Sequence, residues 1–488
     1  MTLEPVPPKA LWTPLAWLPH GWQRHVLLTI GQDDCWADVE TNVLTPPPEA
    51  VPLAGALLPG LVNAHSHAFQ RAFAGLAETT TGEQDDFWSW RSRMYHLAAR
   101  ITPELLRAIA AQLYLELLRG GYTQVCEFHY LHRDVSSEPY PEPLTMLEAL
   151  IHAAEDVGIG LTLLPTVYER AGFGQPDLLP EQRRFFATPD FVWEVVKAVE
   201  AGNRPVIHVG LALHSVRAVR PESFDHLRRL AEDFTGPIHI HVAEQVAEVE
   251  ACLRATGARP VAWLAREGYL DPRWQLVHAT HTDAAEREAI ARSGAGVVVC
   301  PTTEANLGDG FVDLPAWAEL GVPLAIGSDS HVNRDWREEL RWLVYSTRLL
   351  TQRRGIAGLP SPAASLFTGA QLAGGDAAGQ PTWGLTPGAR ADALVLATDT
   401  PTLLGATPEH LLEAVVFSSP GPAWSDVLVA GRWWLQRGRH PRQGRIHARF
   451  KAAMETLWET ARLNVPVNGL LVSQNAEPTE PSADDDRP

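Results

Sequence analysis

An α/β architecture, a (β/α)8 barrel with a small β-sandwich formed from both chain ends, is what this sequence predicts, and three observations predict it. Between residues 57 and 329 a short run rich in β-branched residues recurs eight times, each followed by a polar or Gly-containing loop and a stretch of helical periodicity. Histidines and carboxylates fall repeatedly at the C-terminal ends of those runs, the end of a parallel barrel where active sites form. The segments before and after the repeat read as short strands without helices between them.

The eight runs are LLPGLVNAH (57 to 65), GYTQVCEF (121 to 128), IGLTLLPT (159 to 166), PVIHVGLAL (205 to 213), PIHIHVAE (237 to 244), WQLVHAT (274 to 280), AGVVVCPT (295 to 302) and VPLAIGSD (322 to 329). Helix candidates separate them, among them PELLRAIAAQLYLELLRG (103 to 120) and PLTMLEALIHAAEDVG (143 to 158). The second ends at Gly158, a residue type that closes helices because it enters the left-handed conformation without steric penalty. Residues 1 to 56 lie outside the repeat, set off by the Pro-rich PPPEA and PLAG, and GARADALVLAT and DVLVAGRWWLQRG resume strand patterning after it. The predicted division is therefore 1–56 with 380–444 as one small β-domain, 57–379 as the barrel inserted in it, and 445–463 as a terminal helix. Residues 464–488, polar and Pro-rich, are predicted to form a disordered acidic tail.

A chain of 488 residues with 45% apolar content has material for a barrel-sized core and a smaller domain beside it. Its net charge of -18, without a local basic stripe, argues against nucleic acid and anionic membrane surfaces as partners. No basic start followed by an apolar run opens the chain, and no apolar stretch reaches the roughly 20 residues of a membrane helix, so a cytoplasmic location is expected. Four cysteines, Cys35, Cys126, Cys252 and Cys300, stand far apart with no C-x-x-C spacing. Any metal is therefore expected on nitrogen and oxygen.

Residues i and i+2 of a strand point the same way, so His65 and His67 can present two imidazoles to one ion. Alone, such a pair is as often a surface feature as a ligand pair. The other runs add weight: the fifth carries His239, His241 and Glu244, the sixth ends in His278 and the eighth in Asp329. A random scatter of 19 histidines would not put these groups at the same end of four strands. His239, farther from the strand end than His241, is read as packing or support.

HSH after PGLVN, the H-x-x-E of His241 and Glu244, His278, and SDSH after the eighth run together resemble the amidohydrolase superfamily, over the whole barrel and its flanking β-domain. Members with two metals generally bridge them through a lysine of strand four, and PVIHVGLAL has none, so the resemblance implies one divalent ion, with zinc as the first expectation. Mononuclear members with H-x-x-E are typically deaminases. On this reading His65, His67, His241 and Asp329 hold the ion, which lowers the pKa of a water to about 7. His278 and Asp329 accept its proton, and Glu244 delivers one to the departing nitrogen.

HSHAFQRAFAGLAE (65 to 78), FWSWR (87 to 91), CEFHYLH (126 to 132), LALHSVRAV (211 to 219) and EANLGDG (304 to 310) narrow the resemblance to members of that superfamily that deiminate formimidoyl dicarboxylates, a step of histidine degradation. A small dicarboxylate substrate calls for guanidinium forks and neutral donors near the barrel mouth. The resemblance places Gln70, Arg91, Tyr130, His214 and Arg217 in that role. The EANLGDG loop, with Asn306, is expected either to fold over the pocket or to be a plain turn. Two competing readings are a deaminase of guanine or a related ring on the same metal site, and a metal-binding barrel without catalysis. The 17 tryptophans offer anchors for a homodimer, but abundance locates no interface.

Overall fold

The computed structural model describes residues 8–76, 78, 87–358 and 361–464, so the tail predicted over 464–488 lies, apart from Asn464, outside the described residues. Its barrel strands are β1 (Leu61–Ser66), β2 (Tyr122–His129), β3 (Gly160–Val167), β4 (Leu211–Ser215), β5 (Ile238–Val242), β6 (Trp274–His278), β7 (Gly296–Val299) and β8 (Leu324–Ile326). Neighbours follow chain order, every pairing is parallel, and a short strand at Ile207–Val209 pairs beside β3 just before β4. Strands covered on both faces are buried at nearly every position, and any polar residue among them must find a partner. β1, β2 and β3 are accordingly buried from end to end.

The seam between β8 and β1 is closed by the segments the sequence marks for chemistry. Ser66 and Asp329 form a parallel bridge; Asp329 N–H donates to the His65 carbonyl at 3.0 Å, and His67 N–H donates to the Asp329 carbonyl at 3.4 Å. Gly327 allows this approach, because a Cβ there would lie 2.7 Å from the Cβ of His65.

Helices cover the outside of the barrel. Pro103–Arg119 begins with Thr102 accepting from Leu105 N–H and has Pro at its start, where a missing N–H costs nothing. Thr145–Val157 ends where predicted: Gly158 has φ +77, and a Cβ on it would collide with Trp434. That collision course ties the helix layer to the small β-domain.

Both chain ends meet in one eight-stranded sheet, in the order Arg432–Leu435, Trp424–Val429, Ala393–Leu396, Leu57–Leu58, Ala10–Leu18, Gly21–Ile30, Trp36–Glu40, with Ala50–Pro52 also pairing with Ala10–Leu18. Leu57 and Leu58, assigned from sequence to the first barrel run, instead pair with Ala16, Leu394 and Val395. The run LLPGLVNAH thus serves two sheets, and Pro59-Gly60 is the break between them. Helix Gln443–Asn464 follows the sheet and packs against Pro103–Arg119. Among the described residues no helix is long and apolar enough to cross a membrane, and the four cysteines are free thiols.

Candidate active site

Three imidazoles converge at the C-terminal mouth of the barrel. His67 Nε2 lies 3.1 Å from His65 Nε2, and His241 Nε2 lies 3.0 Å from it on the other side. Asp329 closes the group, with Oδ1 at 3.5 Å from His65 Nε2 and 3.4 Å from His67 Nε2. Backbone carbonyls set the tautomers: His67 Nδ1 faces the Phe128 carbonyl at 2.8 Å, and His241 Nδ1 faces the His214 carbonyl at 3.0 Å. A carbonyl oxygen only accepts, so both Nδ1 atoms carry the proton and both Nε2 atoms turn lone pairs inward. His65 cannot satisfy two facing lone pairs with one proton. A tetrahedral ion with bonds of about 2.0–2.1 Å spaces its nitrogens by roughly 3.3 Å, close to the separations here. Burial first, and then mutual repulsion, holds His65 and His241 well below the usual imidazole range, and burial also lowers His67. Neutral imidazole is the form that ligates. The residues therefore fit one divalent cation.

His278 stands beside this group. Its Nε2 is 3.8 Å from Asp329 Oδ2 and 3.8 Å from Glu244 Oε1, and its Nδ1 is 3.2 Å from Glu304 Oε1. Burial works against protonating His278, but Glu244, Glu304 and Asp329 outweigh it and lift the ring to about 10. Burial pushes Glu244 up to about 7 against the pull of His278, which puts a carboxyl able both to give and to take a proton at neutral pH next to that ring. The backbone that presents these groups is unusual. His278 has φ +70, Asp329 φ +44, Ala243 φ +52 and His331 φ +66, left-handed values that cost non-glycine residues of order 1–2 kcal/mol each. The surrounding packing holds them there.

A cavity of about 610 Å³, counting its open mouth, starts at His67, His241 and Asp329. Its walls include all five residues expected from sequence to meet substrate: Gln70, Arg91, Tyr130, His214 and Arg217. Gln70 Nε2 donates to the Tyr130 hydroxyl at 3.2 Å, while its buried Oε1 has no partner. Arg91, on the helix Phe87–Ala98, donates to the hydroxyls of Tyr95 and Tyr168. Arg217 reaches the Ala171 carbonyl at 3.3 Å. Burial and the neighbouring His241 and arginines keep His214 neutral. His239 turns its Nε2 to the Ala377 carbonyl at 2.9 Å and takes no part in the imidazole group.

Several groups at the site were not singled out from sequence. EANLGDG is not a plain loop: helix Pro301–Leu307 occupies its first half, sending Glu304 inward to His278, Leu307 to the cavity wall and Asn306 outward to Glu78 at 2.8 Å. Glu304 sits four residues after Cys300, whose N–H donates to it at 2.9 Å, and that helical spacing was the available signal. Tyr95, Tyr168 and Glu248 also line the cavity, and Gln182 binds both tyrosines from behind. Tyr95 lies on the helix Phe87–Ala98 and Glu248 on the helix Val246–Thr256, while Tyr168 follows β3 directly, and nothing in their spacing marks them as cavity residues.

A (β/α)8 barrel whose mouth gathers three neutral imidazoles and a carboxylate, with a second carboxyl and a histidine alongside, has the architecture of a hydrolase and a donor set that suits a metal ion. Residues 56–434 match the model of the amidohydrolase family, and the chain belongs to that family. It is 42% identical to formimidoylglutamate deiminase of Pseudomonas aeruginosa over 90% of this chain and 98% of that enzyme. The crystal structure of an amidohydrolase from Brucella melitensis superposes with a TM-score of 0.86 at 38% identity, covering 92% of this chain and 99% of that one. Atrazine chlorohydrolase of Arthrobacter aurescens TC1, complexed with zinc, shares the fold at a TM-score of 0.78 and 19% identity, over 91% of this chain and 99% of that one.

Proposed function

We propose that this protein hydrolyses N-formimidoyl-L-glutamate to N-formyl-L-glutamate and ammonia, as a step of histidine degradation in the cytoplasm. The observation that carries the proposal is the presence of two guanidinium groups, Arg91 and Arg217, on the walls of the cavity that begins at the imidazole group. Two fixed cations in a half-buried cavity suit a substrate with two carboxylates, and a purine would leave both without counter-charge. The 42% identity to a formimidoylglutamate deiminase over nearly all of that enzyme supports the same substrate.

In this reading His65, His67, His241 and Asp329 hold a single divalent ion, and three imidazoles with one carboxylate suit zinc. When bound, the ion supplies a water acidic enough to attack at neutral pH. Arg91 and Arg217 fix the substrate carboxylates, with Gln70, Tyr130 and His214 as neutral partners, so that the formimidoyl carbon faces Asp329. Asp329 takes up the proton of the attacking water, and His278, 3.8 Å away and held charged by its three carboxylates, orients the Asp329 carboxylate. Glu304 holds Nδ1 of His278 and so keeps Nε2 turned toward Asp329 and Glu244. Glu244 protonates the nitrogen that leaves, the C–N bond breaks, and ammonia departs as the carbonyl forms.

The test is ammonia release by the zinc-loaded protein from N-formimidoyl-L-glutamate, N-formimidoyl-L-aspartate, N-formimidoylglycine and guanine. The glutamate derivative is expected to lead. Arg217→Ala should lower kcat/KM for it by about 30- to 1,000-fold, the value of about 2–4 kcal/mol for a charge-assisted contact in a dry site. Preference for guanine, or an Arg217→Ala variant with unchanged kinetics, would overturn the assignment.

A further inference from the structure

Tyr168 sits fully buried in the wall of the active-site cavity, and its hydroxyl has an unusual set of neighbours. Gln182 Nε2 donates to it at 3.0 Å, and an Arg91 amino group donates to it at 3.3 Å. The Gln182 amide cannot be turned round, because its Oε1 accepts from the Leu179 N–H at 3.0 Å. Its Nε2 therefore carries both protons to the tyrosines, one to Tyr168 and one to the Tyr95 hydroxyl at 3.3 Å. Tyr95 is approached in the same way by Nε of Arg91.

A phenol oxygen has two lone pairs and one proton. Gln182 and Arg91 fill both lone pairs of the Tyr168 oxygen, and Tyr95, whose oxygen accepts from the same two groups, offers no free lone pair, so the Tyr168 proton has no acceptor among them and turns to the cavity. Arg91 and Arg217 both act on this hydroxyl and, despite its burial, hold it below the ordinary phenol range, which makes it a strong donor.

We propose that Tyr168 is a specificity-determining residue, donating its hydroxyl proton to one of the two carboxylates of the substrate between Arg91 and Arg217. Gln182, which never reaches the cavity, is a positioning residue: it fixes the tyrosine oxygen as an acceptor and so forces the proton outward. The inference rests on the dicarboxylate reading above and names a contact within it.

The experiment compares the zinc-loaded wild type with Tyr168→Phe on three substrates: N-formimidoyl-L-glutamate, N-formimidoylglycine, which lacks the side-chain carboxylate, and 4-formimidoylaminobutyrate, which lacks the α-carboxylate. The variant should lose at least about tenfold in kcat/KM on the glutamate derivative, mainly through KM, because a site built to hydrogen-bond a group loses its discrimination when one partner goes. It should lose no more than about twofold on one of the two monocarboxylates, the one missing the carboxylate that Tyr168 holds. Gln182→Leu, which keeps the phenol, should show the same pattern with a smaller loss, and melting curves report whether each variant is folded. Binding of the product N-formyl-L-glutamate by calorimetry should weaken in parallel. An equal loss on all three substrates, or none on the glutamate derivative, would overturn the role of Tyr168. A wild type that releases no ammonia from N-formimidoyl-L-glutamate would instead overturn the dicarboxylate reading beneath it.

Discussion

Glu304→Gln tests the proton-handling half of the site. The carboxylate is buried, with one oxygen 3.2 Å from His278 Nδ1 and 2.9 Å from the Cys300 N–H. Glutamine keeps the shape and one acceptor oxygen but removes the charge, leaving the Cys300 and His278 contacts to compete for a neutral group. A charge-assisted hydrogen bond is worth about 1.5–3 kcal/mol, against about 1 for a neutral one. If that difference of about 0.5–2 kcal/mol is felt in the transition state and not in the resting site, kcat should fall by roughly 2- to 30-fold, with KM nearly unchanged. The sign on pH follows from the same contact. Glu304 raises His278, so its neutralisation must lower the ring, and the limb of the pH–rate profile belonging to His278 should move to lower pH. Steady-state ammonia release between pH 5 and 10, with metal content measured on the same samples, checks both. A fully metallated variant whose kcat stays within about threefold of wild type, with an unmoved profile, would refute the coupling of Glu304 to catalysis.

Three further outcomes follow from the fold and site. Stripping metal with a chelator should abolish ammonia release and lower the apparent melting midpoint by on the order of 5 °C, since a ligand at a thousand times its Kd stabilises by about 4 kcal/mol; an unchanged midpoint would remove the metal from the site. His132 and His440 are buried and held down to about 4, so between roughly pH 4 and 6.5 the unfolded chain binds protons that the folded one refuses. Stability should therefore rise with pH across that window, by up to about 3 kcal/mol per histidine, and denaturant midpoints at pH 4.5, 5.5 and 7 should be flatter in His132→Gln than in wild type. Gly158→Ala should destabilise by at least about 2–3 kcal/mol, because it adds a left-handed penalty to a clash with the Trp434 ring, and a melting midpoint equal to wild type would contradict that packing.

The convergence of His65, His67, His241 and Asp329 was legible because parallel strands of a barrel all end on one side, so strand position placed them together. The alternation rule located His65 and His67, and the offset of His239 from the strand end separated it from them. What escaped was carried by segments without a period. Tyr168 follows β3 and Gln182 lies in the short helix Pro180–Phe185, so their meeting depends on how a long excursion folds back. Glu304 was hidden for another reason: glycines in EANLGDG suggested a loop, while Pro301 at a helix start and Gly308 at its end enclose a helical turn. Leu57 and Leu58 were misplaced because an apolar dipeptide suits either sheet, and only the Pro59-Gly60 break distinguishes them.

The seam of the barrel bears on how the protein matures in the cell. His65, His67 and His241 are synthesised before Asp329, and Asp329 is both the last of the proposed ligands and the residue whose backbone bridges the end of β8 to β1. A nascent chain that has emerged only as far as β7 owns three imidazoles but neither the carboxylate nor the closed ring. On the proposed ligand set, the metal site is therefore completed in the same event that finishes the barrel, and metal retention would report that the last repeat has docked against the first. On that reading, a chain truncated before residue 329 should lose both metal binding and its circular core together.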